Sequence, residues 1–82
     1  MKNYILLEII GKGARKPLMF TDLEEAKKKL KKDYCKELGI KENQLADFLE
    51  KQDSSEYRFE DISAQGFNKK HEYISFILSE QI

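Results

Sequence analysis

The chain has 82 residues, 40 % of them apolar and 37 % charged, with four Tyr, five Phe and no Trp. That is one domain whose folding removes roughly 60 % of the surface of the unfolded chain, at the polar end of globular composition rather than in the disordered range. Fifteen Lys/Arg offset fifteen Asp/Glu, which excludes a whole-molecule field drawing in nucleic acid or anionic membrane, and a single cysteine, Cys35, excludes a disulfide scaffold. No apolar run reaches the roughly 20 residues of a membrane span, and Tyr4 to Ile10 lacks the length and cleavage site of a signal peptide, so a cytoplasmic protein in a reducing compartment is expected.

Charge is unevenly spread. Residues 1–40 hold ten basic and six acidic side chains, residues 41–61 hold three and seven, and the rest hold two of each, predicting a basic side and an acidic side.

Tyr4-Ile5-Leu6-Leu7-Glu8-Ile9-Ile10 is short and rich in branched residues, and Gly11 stops it, as in a central strand. Gly11 to Pro17 reads as a flexible basic loop, and Leu18-Met19-Phe20 as a short strand closing a hairpin. Thr21-Asp22-Leu23-Glu24 marks a helix start, with Thr21 as N-cap and Glu24 completing a capping box. From Asp22 to Leu38 the apolar positions Leu23, Ala26, Leu30, Tyr34 and Leu38 trace one helical stripe, Glu24–Lys28 and Glu25–Lys29 are i,i+4 pairs, and Gly39 is the terminator.

Glu42 to Lys51 carries Leu45, Phe48 and Leu49 at helical spacing, predicting a short second helix before a polar break at Gln52 to Ser55. Tyr57 to about Ala64 reads as one strand with a bulge near Asp61, Gly66 to His71 as a turn, and Tyr73 to Ile82 as the last strand, with Ile74, Phe76, Leu78 and Ile82 on one face. The expected fold is α+β: a three- to four-stranded, mainly antiparallel sheet in ββαββ-like order, carrying one long amphipathic helix on one face plus the short second helix.

No residue set makes a catalytic centre. Gly11-Lys12-Gly13 is neither the Gly-X-X-Gly of a KH domain, since Ala14 follows a strand and not a helix, nor a P-loop. Cys35 and His71 are the only thiol and imidazole, too few for a structural zinc site, and Cys35 at the stripe edge reads as apolar filler. No glycine lies between Ile40 and Gln65, so the acidic segment cannot make a calcium loop. No catalytic residue, metal site or cofactor is expected.

Two binding readings remain. In the first, Ile5, Leu7 and Ile9 face the helix together with Ile74, Phe76, Leu78 and Ile82, which turns Tyr4, Leu6, Ile10, Tyr73 and Ile77 outward, joined by either Tyr57 and Phe59 or their neighbours. One helix cannot cover both faces. That second face, an edge strand or acidic residues Glu56, Glu60 and Asp61 would then bind another protein or a second copy as a homodimer, as suits a small bacterial or phage accessory factor or inhibitor. In the second, Lys12, Arg15 and Lys16 with a ridge of Lys28, Lys32 and Lys36 would touch nucleic-acid backbone, although a Lys-rich outer face is also how an ordinary helix stays soluble.

Overall fold

The computed structural model describes residues 2–81. The chain alternates strand and helix as an α+β fold: β1 (Asn3–Ile10), β2 (Gly13–Ala14), β3 (Leu18–Phe20), α1 (Leu23–Leu38), a 3-10 turn at Glu42–Gln44, α2 (Leu45–Glu50), β4 (Arg58–Glu60), β5 (Ser63–Phe67) and β6 (Tyr73–Gln81). The strands form one antiparallel sheet of six, in the order β2-β1-β6-β5-β4, with β3 on the same edge of β1 as β2. β1 and β6 pair along their whole length, from Asn3 opposite Gln81 to Ile10 opposite Ile74, and make the sheet's spine. No helix among the described residues is long and apolar enough to cross a membrane.

The strand count exceeds the three or four expected from sequence for two reasons. The basic loop contributes Gly13–Ala14, which pairs with Ile9 and Ile10. The strand read as Tyr57 to Ala64 is instead a hairpin: Glu60 faces Ser63 across a two-residue turn at Asp61-Ile62. Neither turn residue takes a positive φ, so the connection lacks the Gly and Asn signature by which a tight hairpin is recognised. Gly66 and Phe67 belong to β5, and the turn to β6 is built by Asn68, whose side-chain oxygen accepts from the backbone N–H of Lys70 and of Glu72, each at 2.9 Å.

Helix α1 starts one residue later than its sequence suggests. Asp22, not Thr21, is the N-cap, its carboxylate accepting from the Glu24 N–H at 2.9 Å. At the other end Gly39 takes φ 77° and the Ile40 N–H donates to the Cys35 carbonyl at 3.0 Å, closing the helix in the left-handed conformation that glycine tolerates best. The expected i,i+4 pairs are replaced by Glu24–Lys27 at 3.6 Å and Lys29–Asp33 at 3.1 Å.

The stripe of α1 packs as expected, with Ala26, Leu30, Tyr34 and Leu38 buried and Leu23 half-buried at the helix start. Opposite it lie Ile74, Phe76 and Leu78 of β6 and Ala64 of β5. Ile82, read as a further member of that face, lies outside the described residues. Tyr34 is the centre of this layer: its hydroxyl donates to the Gln65 carbonyl, its ring stacks on Phe59 at 5.9 Å, and it meets Phe76 edge-on at 6.0 Å. Gly66 makes room for these rings, since a Cβ there would stand 2.7 Å from the Tyr57 ring and 3.1 Å from the Tyr34 hydroxyl.

The parity of β1 is the reverse of the sequence reading. Leu6 and Glu8 are buried beneath α1, flanked by half-buried Tyr4 and Ile10, while Leu7 and Ile9 point away from it. The short second helix also lies on the α1 side. Leu45 is buried there, Phe48 and Leu49 pack against the same core, and Phe48 meets Tyr57 edge-on at 5.5 Å. It therefore lengthens the covered layer and leaves the opposite sheet face uncovered among the described residues.

Candidate protein interaction surface

The side of the sheet away from α1 is set by strand alternation and register. Ile5, Leu7 and Ile9 project from β1, Met19 from β3 opposite Ile5, and Tyr73, Ser75 and Ile77 from β6. Ser63, Gln65 and Phe67 of β5 and Arg58 and Glu60 of β4 share that side. Its β1 half is apolar and open: Met19 is 67 % exposed, Ile77 46 %, and Leu7 and Ile9 38 % each. Its β4 half is polar and recessed. Small Ser63 and Ser75 floor a hollow of about 230 Å³ rimmed by Arg58, Glu60 and Gln65.

The apolar row faces outward because Glu8 faces inward. Glu8 is 3 % exposed, and its Oε1 accepts from Arg15 Nη1 at 3.1 Å while Arg15 Nη2 donates to Glu37 at 2.8 Å. Asp33, also buried, pairs with Lys29 at 3.1 Å and lies in the same buried pocket as Glu8, whose ionised form its charge disfavours. Burial pushes Glu8 up to about 7; its hydrogen bond and repulsion with Asp33 push the same way, and Arg15 offsets only part of this. Burial pushes Asp33 upward too, but its hydrogen bonds with Glu8 and Lys29 overcome that and hold it below the usual carboxylate range. Glu8 Oε2 is buried and has no hydrogen-bond partner among the described residues. Arg15, from the segment after β2, and Asp33, from α1, thus set the environment of one buried acid.

The residues read as a partner surface divide between the two sides. Tyr73, Ile77 and Glu60 lie on the open face, and Glu56 and Asp61 are exposed in the segments flanking β4. Leu6 is completely buried, and Tyr4, Tyr57 and Phe59 are half-buried against the α1 core, so these four do not belong to that face. Ile5, Leu7, Ile9 and Met19 take their place. The signal for them was present in the sequence as an uninterrupted apolar row, but it was assigned to the core because the alternative row contains Glu8.

Of the predicted basic residues, Arg15 and Lys36 line one hollow and Lys28 another. Arg15 is tied to Glu8 and Glu37, and with Lys36, Lys69 and Lys70 it lines a hollow that also contains Glu37 and Glu72. Lys28 lines a different one, beside Lys27, Lys31 and Asp61. Lys12, Lys16 and Lys32 are exposed. Cys35 is buried with its thiol pushed up, chiefly by burial and then by the charge of Glu42, and His71 stands exposed at φ 62° in the β5–β6 turn.

No protein-family model matches the chain, and no curated protein or solved structure is significantly similar to it.

Proposed function

We propose that this is a non-catalytic binding protein whose working surface is the sheet face opposite α1, and that its partner is a protein. The observation that supports this reading is the outward row Ile5, Leu7 and Ile9, extended by Met19 and Ile77 across three adjacent strands. Scattered exposed apolar residues need no explanation, but a contiguous patch rimmed by polar groups is the composition of a protein interface. The chain keeps its fully apolar β1 row outside while burying a row that contains a glutamate, and it uses Arg15 and Asp33 to satisfy that glutamate. An arrangement selected for the fold alone would place the rows the other way round.

Photo-crosslinking tests the surface. A photoreactive residue at position 77 should give protein adducts in extracts of the source cells, and the same residue at position 32, on the outer face of α1, should give none. Equal labelling at both positions, or none at 77, would remove the reading.

The second reading, contact with nucleic-acid backbone, is favoured by the approach of Lys36, Lys69 and Lys70 around one hollow. The carboxylates of Glu37 and Glu72 in the same hollow weaken it.

A further inference from the structure

The cross-strand rows of the sheet place an apolar pair and an opposite-charge pair where a second copy could complement them. One row of paired residues runs straight across the sheet: Glu8 opposite Phe76, Phe76 opposite Ala64, Ala64 opposite Phe59. These four side chains all point toward α1. On the open face the two neighbouring rows lie on either side of that line. One holds Leu7, Ile77, Ser63 and Glu60, and the other holds Ile9, Ser75, Gln65 and Arg58.

We infer that the open face pairs with the open face of a second copy of this chain, about a two-fold axis that runs along the Glu8–Phe76–Ala64–Phe59 row. This rests on the reading of that face as a protein-binding surface and names its partner. The axis exchanges the two neighbouring rows, so Leu7 of one protomer meets Ile9 of its partner and Arg58 meets Glu60, each contact occurring twice as an isologous interface requires. Leu7 and Ile9 of the two β1 strands then cover each other, Ile77 of one protomer lies over Ser75 of its partner, and the polar β4 halves cover each other. Two sheets stacked face to face in this way form a sandwich of the aligned kind, with the α1 helices outside.

Charge and area both favour a second copy over a different protein. Arg58 and Glu60 are opposite charges two residues apart on one strand, both exposed, and neither makes an ion pair among the described residues. A partner of another sequence would have to supply their complement, whereas a two-fold copy supplies it automatically. The molecule measures 40 × 27 × 20 Å, and with helix stacked on sheet along the short dimension its broad face spans roughly 1,000 Å², enough for the ~800 Å² per partner of a standard interface.

A charge-swap series read by sedimentation or light scattering tests the axis. Arg58→Glu places two carboxylates against each other at both symmetric contacts, and Glu60→Arg does the same with two cations, so each variant should weaken dimerisation by about tenfold or more. The double variant Arg58→Glu/Glu60→Arg restores opposite charges and should return to within about threefold of the wild type. Both positions are exposed on β4, and circular dichroism checks that each variant folds. A monomeric wild type, single variants that dimerise normally, or a double variant no better than the singles would overturn the inference. The crosslink at position 77 separates the two levels of the account: adducts to other proteins with a monomeric wild type remove the dimer and keep the surface, and no adducts of either kind remove both.

Discussion

Arg15 places its Nη1 3.1 Å from Oε1 of Glu8, joining a half-exposed guanidinium on the β1–β3 hairpin to a carboxyl buried beneath α1. That contact decides which row of β1 faces the helix. It also makes the fold's stability depend on pH and on the hairpin that carries the arginine.

Because Glu8 rises from 4.5 to about 7 on folding, the folded chain holds a proton that the unfolded chain has released across that window. The contribution is present in full below pH 4.5 and is lost as pH rises through 7, a loss on the order of 3 kcal/mol for this group. Asp33, held low, acts in the opposite sense, and its contribution is lost only as pH falls below its ordinary value of 3.8. Urea unfolding at pH 5 and pH 8 should therefore show lower stability at pH 8, and Glu8→Gln, which keeps a neutral donor toward Asp33, should flatten the difference. An unchanged slope in Glu8→Gln would assign the dependence to another group.

Replacing Arg15 removes the one cation bonded to Glu8 among the described residues. Arg15→Gln should cost about 1–3 kcal/mol at pH 8, where Glu8 is ionised, and clearly less at pH 5. In the Glu8→Gln background the same change should cost almost nothing, and the four proteins together form a double-mutant cycle whose coupling energy measures the pair.

Tyr34 and Gly66 test the packing of the covered layer. Tyr34→Phe leaves the Gln65 carbonyl without its donor and should cost about 1–2 kcal/mol in urea unfolding. Gly66→Ala drives a methyl to within 2.7 Å of the Tyr57 ring, where ring movement is limited by Phe48 and Phe67, and should cost about 1–3 kcal/mol.

The nucleic-acid reading makes a separate prediction about the lysine ridge. Because Lys32 and Lys36 serve as a solvated face in this account, Lys32→Glu and Lys36→Glu should elute from heparin at low salt together with the wild type. Earlier elution of either variant by several column fractions would restore the ridge as a phosphate contact.

What could be read from the sequence follows the range over which each signal acts. The α1 stripe, the Gly39 terminator, the Leu18–Phe20 strand and the inward face of β6 are written in spacings of two to four residues, and the structure has them in place. The Asp61-Ile62 hairpin was missed because its turn uses neither glycine nor asparagine, so a continuous strand with a bulge fitted the same residues. The parity of β1 was inverted because alternation weighs a glutamate as a surface residue. Arg15 and Asp33, which act on it, lie seven and 25 positions away, and Asp33 meets it only after α1 docks. The one local hint was the Lys29, Asp33, Glu37 row at i,i+4 spacing, which places charge right beside the apolar stripe of α1. With β1 inverted, the candidate surface inherited Leu6 and Tyr4 and lost Leu7 and Ile9.

The most direct test of the open face is absolute mass by light scattering across a size-exclusion peak, over a series of protein concentrations, for the wild type and Leu7→Glu. Leu7 is 38 % exposed and outside the α1 core, so the substitution should leave the circular dichroism and the urea midpoint of the monomer in place. The account predicts a wild-type mass that rises with concentration toward twice the 9.7 kDa of the chain, and a Leu7→Glu mass that stays at 9.7 kDa throughout. A wild type that remains at 9.7 kDa at every concentration, or a Leu7→Glu protein that dimerises as the wild type does, would contradict it.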